Sequence, residues 1–359
     1  MSRKKHLRAW ARLRVLCCSG LDPVAAAPDA FALIREIVPN AAGALFLTSP
    51  QGVPHAFFHE DSPASAQRLF LEEPHLFRGP GEYNVFRLVG EPGGAKVGQL
   101  MEPPADYWRS HTYQLLVRAS GHHHTLDARL EVDGHPAGLV SLFRPPGSGF
   151  REDDRDAMAR VAAHLEQALR TAPAPAGGPT DAAVAEAMLV CTPQGRLLHA
   201  SARAMSLLQQ LPLAGTQWPD RKELPPFCRE LIRRLHDADN PDLPLPHATR
   251  AVPGGHLQVT AQWLAPVTDP PGVNTADALV GILLRHHVPA ELRAWRRLNR
   301  SDLSPRELEV AFWLRRTGSR QAVRERLGLS EAVMRDCVRA VYAEYGCGTQ
   351  EEFRLASAA

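Results

Sequence analysis

"DLSPRELEVAFWLRRTG" (residues 302–318) runs directly into "SRQAVRERLGLSEAVMRDCVRAVYAEYG" (319–346), and this stretch decides the fold. Ser304 is a helix cap, Pro305 suits the first helical position, and Glu307, three after the cap, completes a capping box. Leu308, Ala311, Phe312 and Arg315 follow at helical spacing, and Gly318 lets the chain turn. Ser319 caps a second short helix with Val323 and Leu327 at i and i+4. Ser330 caps a third, from Glu331 to about Tyr345. Its Met334, Val338, Val341 and Tyr345 step by four, three and four to make one buried stripe. Ala332, Val333, Arg335, Asp336 and Arg339 fall away from that stripe. "TQEEFRLAS" (349–357) predicts a short last helix.

The charges of the third helix pull against its shape. Arg335 and Arg339 stand against Glu331, Asp336 and Glu344, so the segment is slightly acidic, and Glu331 and Arg335 read as an i, i+4 surface pair. From 289 to 359 there are 13 Arg against 10 Asp and Glu, with four Arg concentrated in 293–300. Phosphate affinity is therefore expected from Arg320, Arg324, Arg326 and the Arg-rich stretch ahead. Arg335 and Arg339 are then expected at guanine edges, with Asp336 accepting from cytosine N4.

Short helices joined by three-residue turns match a helix-turn-helix module. Over roughly 303–357 the chain resembles the LuxR-type DNA-binding domain, in which "LSPRELEV" is the usual beginning and "LGLSEAVMRDCVRAVYAEYG" the turn and reading helix. The resemblance implies a DNA-binding surface made by Ser319, Arg320, Gln321, Ser330, Val333, Arg335, Asp336 and Arg339. The chain departs from the family pattern at four places. Val333 replaces the usual Thr, Cys337 a common His, and Glu344 a basic residue. Arg324 stands where a small Ala is usual and is expected to disturb packing between helices.

Outward from this module, "TAPAPAGGPT" (171–180) can neither continue a helix nor enter a sheet interior, and is expected to be a linker. Before it, Leu7, Trp10, Leu13 and Cys17 predict a helix, and Phe31, Ile34 and Ile37 a second. Strands are expected at 43–48, 54–60, 113–119 and 135–145. A closing helix over 150–170 has acidic residues in its first turn and Met158, Val161, Leu165 and Leu169 on one face. The strand "GLVSLFR", passing through "PPGSGFREDD" into that helix, resembles a GAF domain, which implies a role in sensing or dimerisation. After the linker, "AMLVCTPQGRLLHASARAMSLLQ" (187–209) reads as strand, turn at Gln194-Gly195, strand and helix, the last burying Ala204, Leu207 and Leu208. With a Pro-rich irregular stretch at 237–248 and paired closing strands at 254–266 and 278–287, this segment resembles a PAS domain.

Composition excludes several classes. The chain has 359 residues, a net charge of +2 and only four Lys among its 41 basic residues, so any nucleic-acid partner must be met by a local patch. Low Lys, with abundant Ala and Pro, suggests a bacterial, GC-rich origin. Six cysteines without a C-x-x-C pair fit reduced thiols, and Arg12 and Arg14 interrupt the apolar core a signal peptide needs. A membrane span is not expected, and the chain reads as cytoplasmic. "GEPGGAKVG" (90–98) lacks the Gly-Lys-Ser/Thr ending of a phosphate loop and is expected to be a surface loop. His122, His123 and His124 are consecutive, with His111 and His135 near in sequence. Adjacent strand residues face opposite ways, so they are expected to be solvated polar residues instead of metal ligands. Cys17-Cys18 reads as packing. No hydrolase elbow, zincin helix or kinase loop is present, so neither an enzyme nor a cofactor is expected.

The expected fold is α+β multidomain, two α/β sensor-type domains followed by an all-α helix-turn-helix. The segments are 1–170 (GAF-like), 171–180 (linker), 181–290 (PAS-like), 291–302 (helical linker) and 303–359 (LuxR-type). The function implied is a one-component transcription regulator that binds double-stranded DNA as a homodimer and takes a small-molecule ligand in one of its first two domains. Pairing surfaces are expected on 4–18, 152–170 and the last helix. The alternative is a regulatory or protein-interaction protein whose helix-turn-helix no longer binds DNA, as the substitutions at Val333 and Cys337 suggest.

Overall fold

The computed structural model describes residues 3–49, 51, 54–90, 94–172, 182–211, 222–236, 244–264 and 278–358. Most of the expected linker at 171–180 and residues 91–93 of the glycine-rich loop lie outside them, as does 237–243 of the Pro-rich stretch. The described chain mixes helix with two antiparallel sheets.

In the first unit, α1 (Arg3–Cys17) and α2 (Pro23–Ile37) lead into β1 (Ala42–Thr48) and β2 (Pro54–His59). Then come α3 (Ala64–Glu72), α4 (Val85–Gly90), the hairpin β3 (His124–Val132) and β4 (His135–Arg144), and α5 (Glu152–Thr171). The strand order is β2-β1-β4-β3. Asp133 and Gly134, with φ of 51° and 79°, make the hairpin turn, a conformation that matches the twist of the strands it joins. Alternation along β4 divides the interior. Val140 and Leu142 face the layer of α1, α2 and α5, while Leu139 and Phe143 belong to a second core with Phe70, Phe77 and Tyr107. Gly43 is required where α2 crosses β1, because a Cβ there would overlap the Phe31 ring.

Two expectations fail here. Residues 113–119 are not a strand: Thr112–Val117 form a π-helical turn that continues into a short 3-10 turn, Arg118–Ser120. The buried Glu82 carboxylate accepts from the backbone N–H of His111 (2.7 Å) and Thr112 (2.8 Å), satisfying donors that a helix start leaves free. The strand that sequence periodicity missed is β3. Leu7, expected in the core, is 54% exposed, whereas Leu13, Val15, Leu16 and Cys17 are buried.

The second unit comprises β5 (Ala182–Cys191), β6 (Leu197–Ala200), α6 (Ala202–Gln209), α7 (Pro226–His236), β7 (His247–Val252), β8 (Gly255–Leu264) and β9 (Leu279–Val288), in sheet order β6-β5-β9-β8-β7. Gly195 takes the turn at φ 90°, and Ala204, Leu207 and Leu208 are buried as the spacing predicts. β8 and β9 pair antiparallel from His256–His287 to Leu264–Leu279.

The last helices are α8 (Ala290–Arg300), α9 (Pro305–Thr317), α10 (Arg320–Leu327), α11 (Glu331–Tyr345) and α12 (Gln350–Ala358). They share one continuous hydrophobic core with α1, α2 and α5. Arg14 pairs with Glu309, and Arg316 donates to the carbonyls of Cys18 (3.1 Å) and Ser19 (2.8 Å). Arg296 pairs with Asp29 at 2.8 Å, and Trp295 Nε1 donates to the Arg12 carbonyl. Helix 4–18 is thus covered by the chain's own α9 and is not the open pairing surface expected from sequence.

Candidate functional site

Helices α9, α10 and α11 each start on the predicted cap. Ser304 Oγ accepts from Glu307 N while Glu307 Oε2 accepts from Ser304 N at 2.7 Å. Ser319 accepts from Ala322 N (3.2 Å) and Ser330 from Val333 N (3.4 Å). Gly318, Gly328 and Gly346 end α9, α10 and α11 at φ of 66°, 63° and 62°. Two of the residues assigned to DNA, Ser319 and Ser330, therefore also hold the helix starts, where their backbone neighbours carry the positive end of the helix dipole.

The buried side of α11 consists of Met334, Cys337, Val338, Val341 and Tyr342. The predicted stripe needs two corrections. Cys337 and Tyr342 belong to it, and Tyr345 is only half-buried. Val333 is half-buried at the edge of the core, not fully exposed as expected, with part of its side chain still open to solvent. Burial, with Glu307 beside it, pushes the Cys337 thiol up, so it stays a neutral packing group. Arg335, Asp336 and Arg339 are exposed on the opposite face, together with Glu331 and Ala332.

The acidic character of this helix is largely offset by contacts that sequence spacing did not reveal. Glu331 pairs with Arg324 of α10 at 2.7 Å, not with Arg335. Arg324 points out to that partner, which is why it does not wedge the helices apart. Glu344 accepts from Asp302 N at 2.9 Å and so tethers the chain entering α9. Asp336 lies 3.7 Å from Arg339, an exposed contact worth at most about 1 kcal/mol and easily exchanged for another partner. Arg335 makes no ion pair among the described residues.

Several of the other residues expected at DNA are already engaged. Arg320 donates to Tyr342 Oη (3.2 Å), Arg326 lies 3.6 Å over the Trp313 ring, and Gln321 donates to Glu325 (2.9 Å). Arg296 is held by Asp29. The surface free to meet a polyanion is accordingly narrow, centred on Arg335 and Arg339 and flanked by the Arg320 and Arg324 heads.

No family model and no curated protein matches the chain. Among solved structures it is similar to the crystal structure of the E. coli DhaR(N)–DhaL complex, at 14% identity over 78% of this chain and 87% of that one, with a TM-score of 0.19. It is also similar to the sensor region of a sensor histidine kinase, at 10% identity over 68% of this chain and 84% of that one, with a TM-score of 0.20. Similarity at this level establishes no shared fold.

The remaining sequence candidates separate in space. His122 Nε2 meets Asp61 (3.2 Å), His123 Nδ1 meets Tyr113 Oη (2.6 Å), and His124 Nε2 meets the Gly147 carbonyl (3.0 Å). Among the described residues no cluster of three metal-ligating side chains forms. Lys96 pairs with Glu166 (2.8 Å) and is not presented to a phosphate. Burial pushes both the Cys17 and Cys18 thiols up, which removes the reactivity a redox pair needs. No helix among the described residues is long and apolar enough to cross a membrane.

Proposed function

We propose that the chain is a one-component, cytoplasmic bacterial transcription regulator of the LuxR-type helix-turn-helix class, with α11 as the reading helix and the two sheet units as GAF-like and PAS-like sensors. The observation that carries this reading is the face of α11. Three capped helices hold it in the helix-turn-helix order, and it leaves Arg335, Asp336 and Arg339 in solvent while the apolar side is buried. Two guanidiniums in one exposed row suit guanine O6 and N7, and the capped starts of α10 and α11 suit phosphate. One such face makes few contacts, so useful affinity requires a homodimer on an inverted repeat. With α1 covered, α12 is the pairing element this reading favours, since Leu355 is 69% exposed on it. Footprinting of the intact protein on genomic DNA, repeated with Arg335→Ala and Arg339→Ala, tests the proposal; protection that both variants retain would overturn it.

A second reading is favoured by one observation. Arg320, Arg324 and Arg326 all have intramolecular partners, as a helix-turn-helix kept for protein contact would show. Absence of any DNA retardation at low salt, with the module folded, would favour it.

A further inference from the structure

Between the second face of the first sheet and helices α3 and α4 lies a cavity of about 80 Å³, open to solvent at its mouth. Its walls are mostly apolar, and Phe46, Phe57, Phe70 and Phe143 converge on it. Among the described lining residues there is no Lys, Arg, Asp or Glu. The two histidines on its rim, His59 and His122, both stack on Phe143, at centroid distances of 5.4 and 5.3 Å. Desolvation holds His59 down at about 4, so its ring is neutral at physiological pH.

Two polar atoms inside the cavity lack a full set of partners. Tyr107 is 1% exposed and Thr125 3%, and both line the space. Their hydroxyls lie within reach of each other, but a pair of hydroxyls leaves one O–H without an acceptor, and no other protein group partners Tyr107 Oη or Thr125 Oγ1. Leaving such groups buried and unpaired costs about 1–3 kcal/mol each, and a native fold normally supplies partners. The neighbouring polar groups are occupied: Asn84 donates to the Phe77 carbonyl and to Thr112, and Thr112 donates to Glu82.

The geometry points to this cavity as the binding site for a compact, neutral aromatic molecule that carries a hydroxyl or carbonyl oxygen. The ring lies among the four phenylalanines and the oxygen meets Tyr107 and Thr125. A phosphate or carboxylate is excluded, because it would be buried with no counter-charge. The site deepens the sensing half of the proposed function and rests on none of the DNA half. It also has a route outward: on strand β4, Leu139 and Phe143 belong to the cavity side, and Val140 and Leu142 pack on the α1–α2–α5 layer that carries α9.

The test is a calorimetric titration of the full chain with phenol, benzene and benzoate. Phenol is expected to bind saturably, benzene up to about tenfold more weakly for want of the oxygen, and benzoate not at all. Tyr107→Phe and Thr125→Val each narrow the phenol-to-benzene ratio while benzene binding persists. Ala66→Phe, which fills the space from α3, abolishes binding; should that variant fail to fold, Ser141→Leu on the sheet side serves the same purpose. The assignment is overturned if phenol does not bind, if benzoate binds as well as phenol, or if a folded cavity-filling variant binds unchanged. DNA retardation measured on the same preparation separates this failure from failure of the regulatory reading.

Discussion

Phe312→Ala tests whether the C-terminal helices stand alone or are completed by the N-terminal helix. Phe312 is 2% exposed and lies three residues after Glu309, which pairs with Arg14, and four before Arg316, which holds the Cys18 and Ser19 carbonyls. Helical spacing puts it on the same flank as both, hence toward α1. Truncating a buried Phe removes its transfer free energy and leaves a cavity, together about 3–5 kcal/mol in the full chain. In a fragment spanning 289–359, α1 is missing and that flank is open to water. The ring there is partly solvated but still meets Trp313 edge-on at a centroid distance of 4.9 Å, so the same substitution should cost less, about 1–2 kcal/mol. Val341→Ala on α11, wholly buried within the module, is the control and should cost the same in both contexts. Urea unfolding followed by circular dichroism supplies all four differences. Equal losses for Phe312→Ala in fragment and full chain would refute the claim that α1 completes this core.

Other outcomes follow from the same contacts. Arg335→Ala and Arg339→Ala should each weaken specific DNA binding by about 1–3 kcal/mol with unfolding midpoints unchanged, as anisotropy titration at fixed salt would show. Val333→Thr should raise affinity up to about tenfold, equally on a specific and a scrambled duplex, because a phosphate contact carries no base information. Val333 is half-buried, so this gain should come with a stability loss of under about 1 kcal/mol; a gain on one duplex only would place the residue against a base. Burial depresses His59 to about 4 from its ordinary 6.5, so the folded state favours the neutral ring. The stability tied to it is present above pH 6.5 and lost as pH falls toward 4. His59→Gln should therefore flatten the acid limb of the stability curve by up to about 3 kcal/mol, and an unchanged limb would count against the buried placement.

How much was legible in the sequence depended on the range of the interaction. Caps and turns involve atoms a few residues apart, so Ser304, Ser319, Ser330 and Gly318 were readable with no tertiary knowledge. The exposed row of Arg335, Asp336 and Arg339 followed from helical period alone. The partner of Glu331 did not, because spacing offers Arg335 four residues on, whereas the fold brings Arg324 closer across a turn. The apolar run at 113–119 fits a strand or a helix equally well in isolation. Glu82, some thirty residues earlier in the chain, decides between them by satisfying the helix start.

The sequence by itself determined the module from 302 to 346 and most of the helices and strands, but not α3, α4, α7, β3 or β7. What it determined rests on local periodicity, capping and turn chemistry. Only the tertiary structure decided what covers the flank of α9 that carries Phe312, and that the covering element is α1, nearly three hundred residues away. It alone also showed that Tyr107 and Thr125 meet in an uncharged, mostly apolar cavity. A buried stripe announces that something must cover it, but hydrophobic burial is non-directional and does not name its partner. That choice is made only when distant segments compete for the same surface.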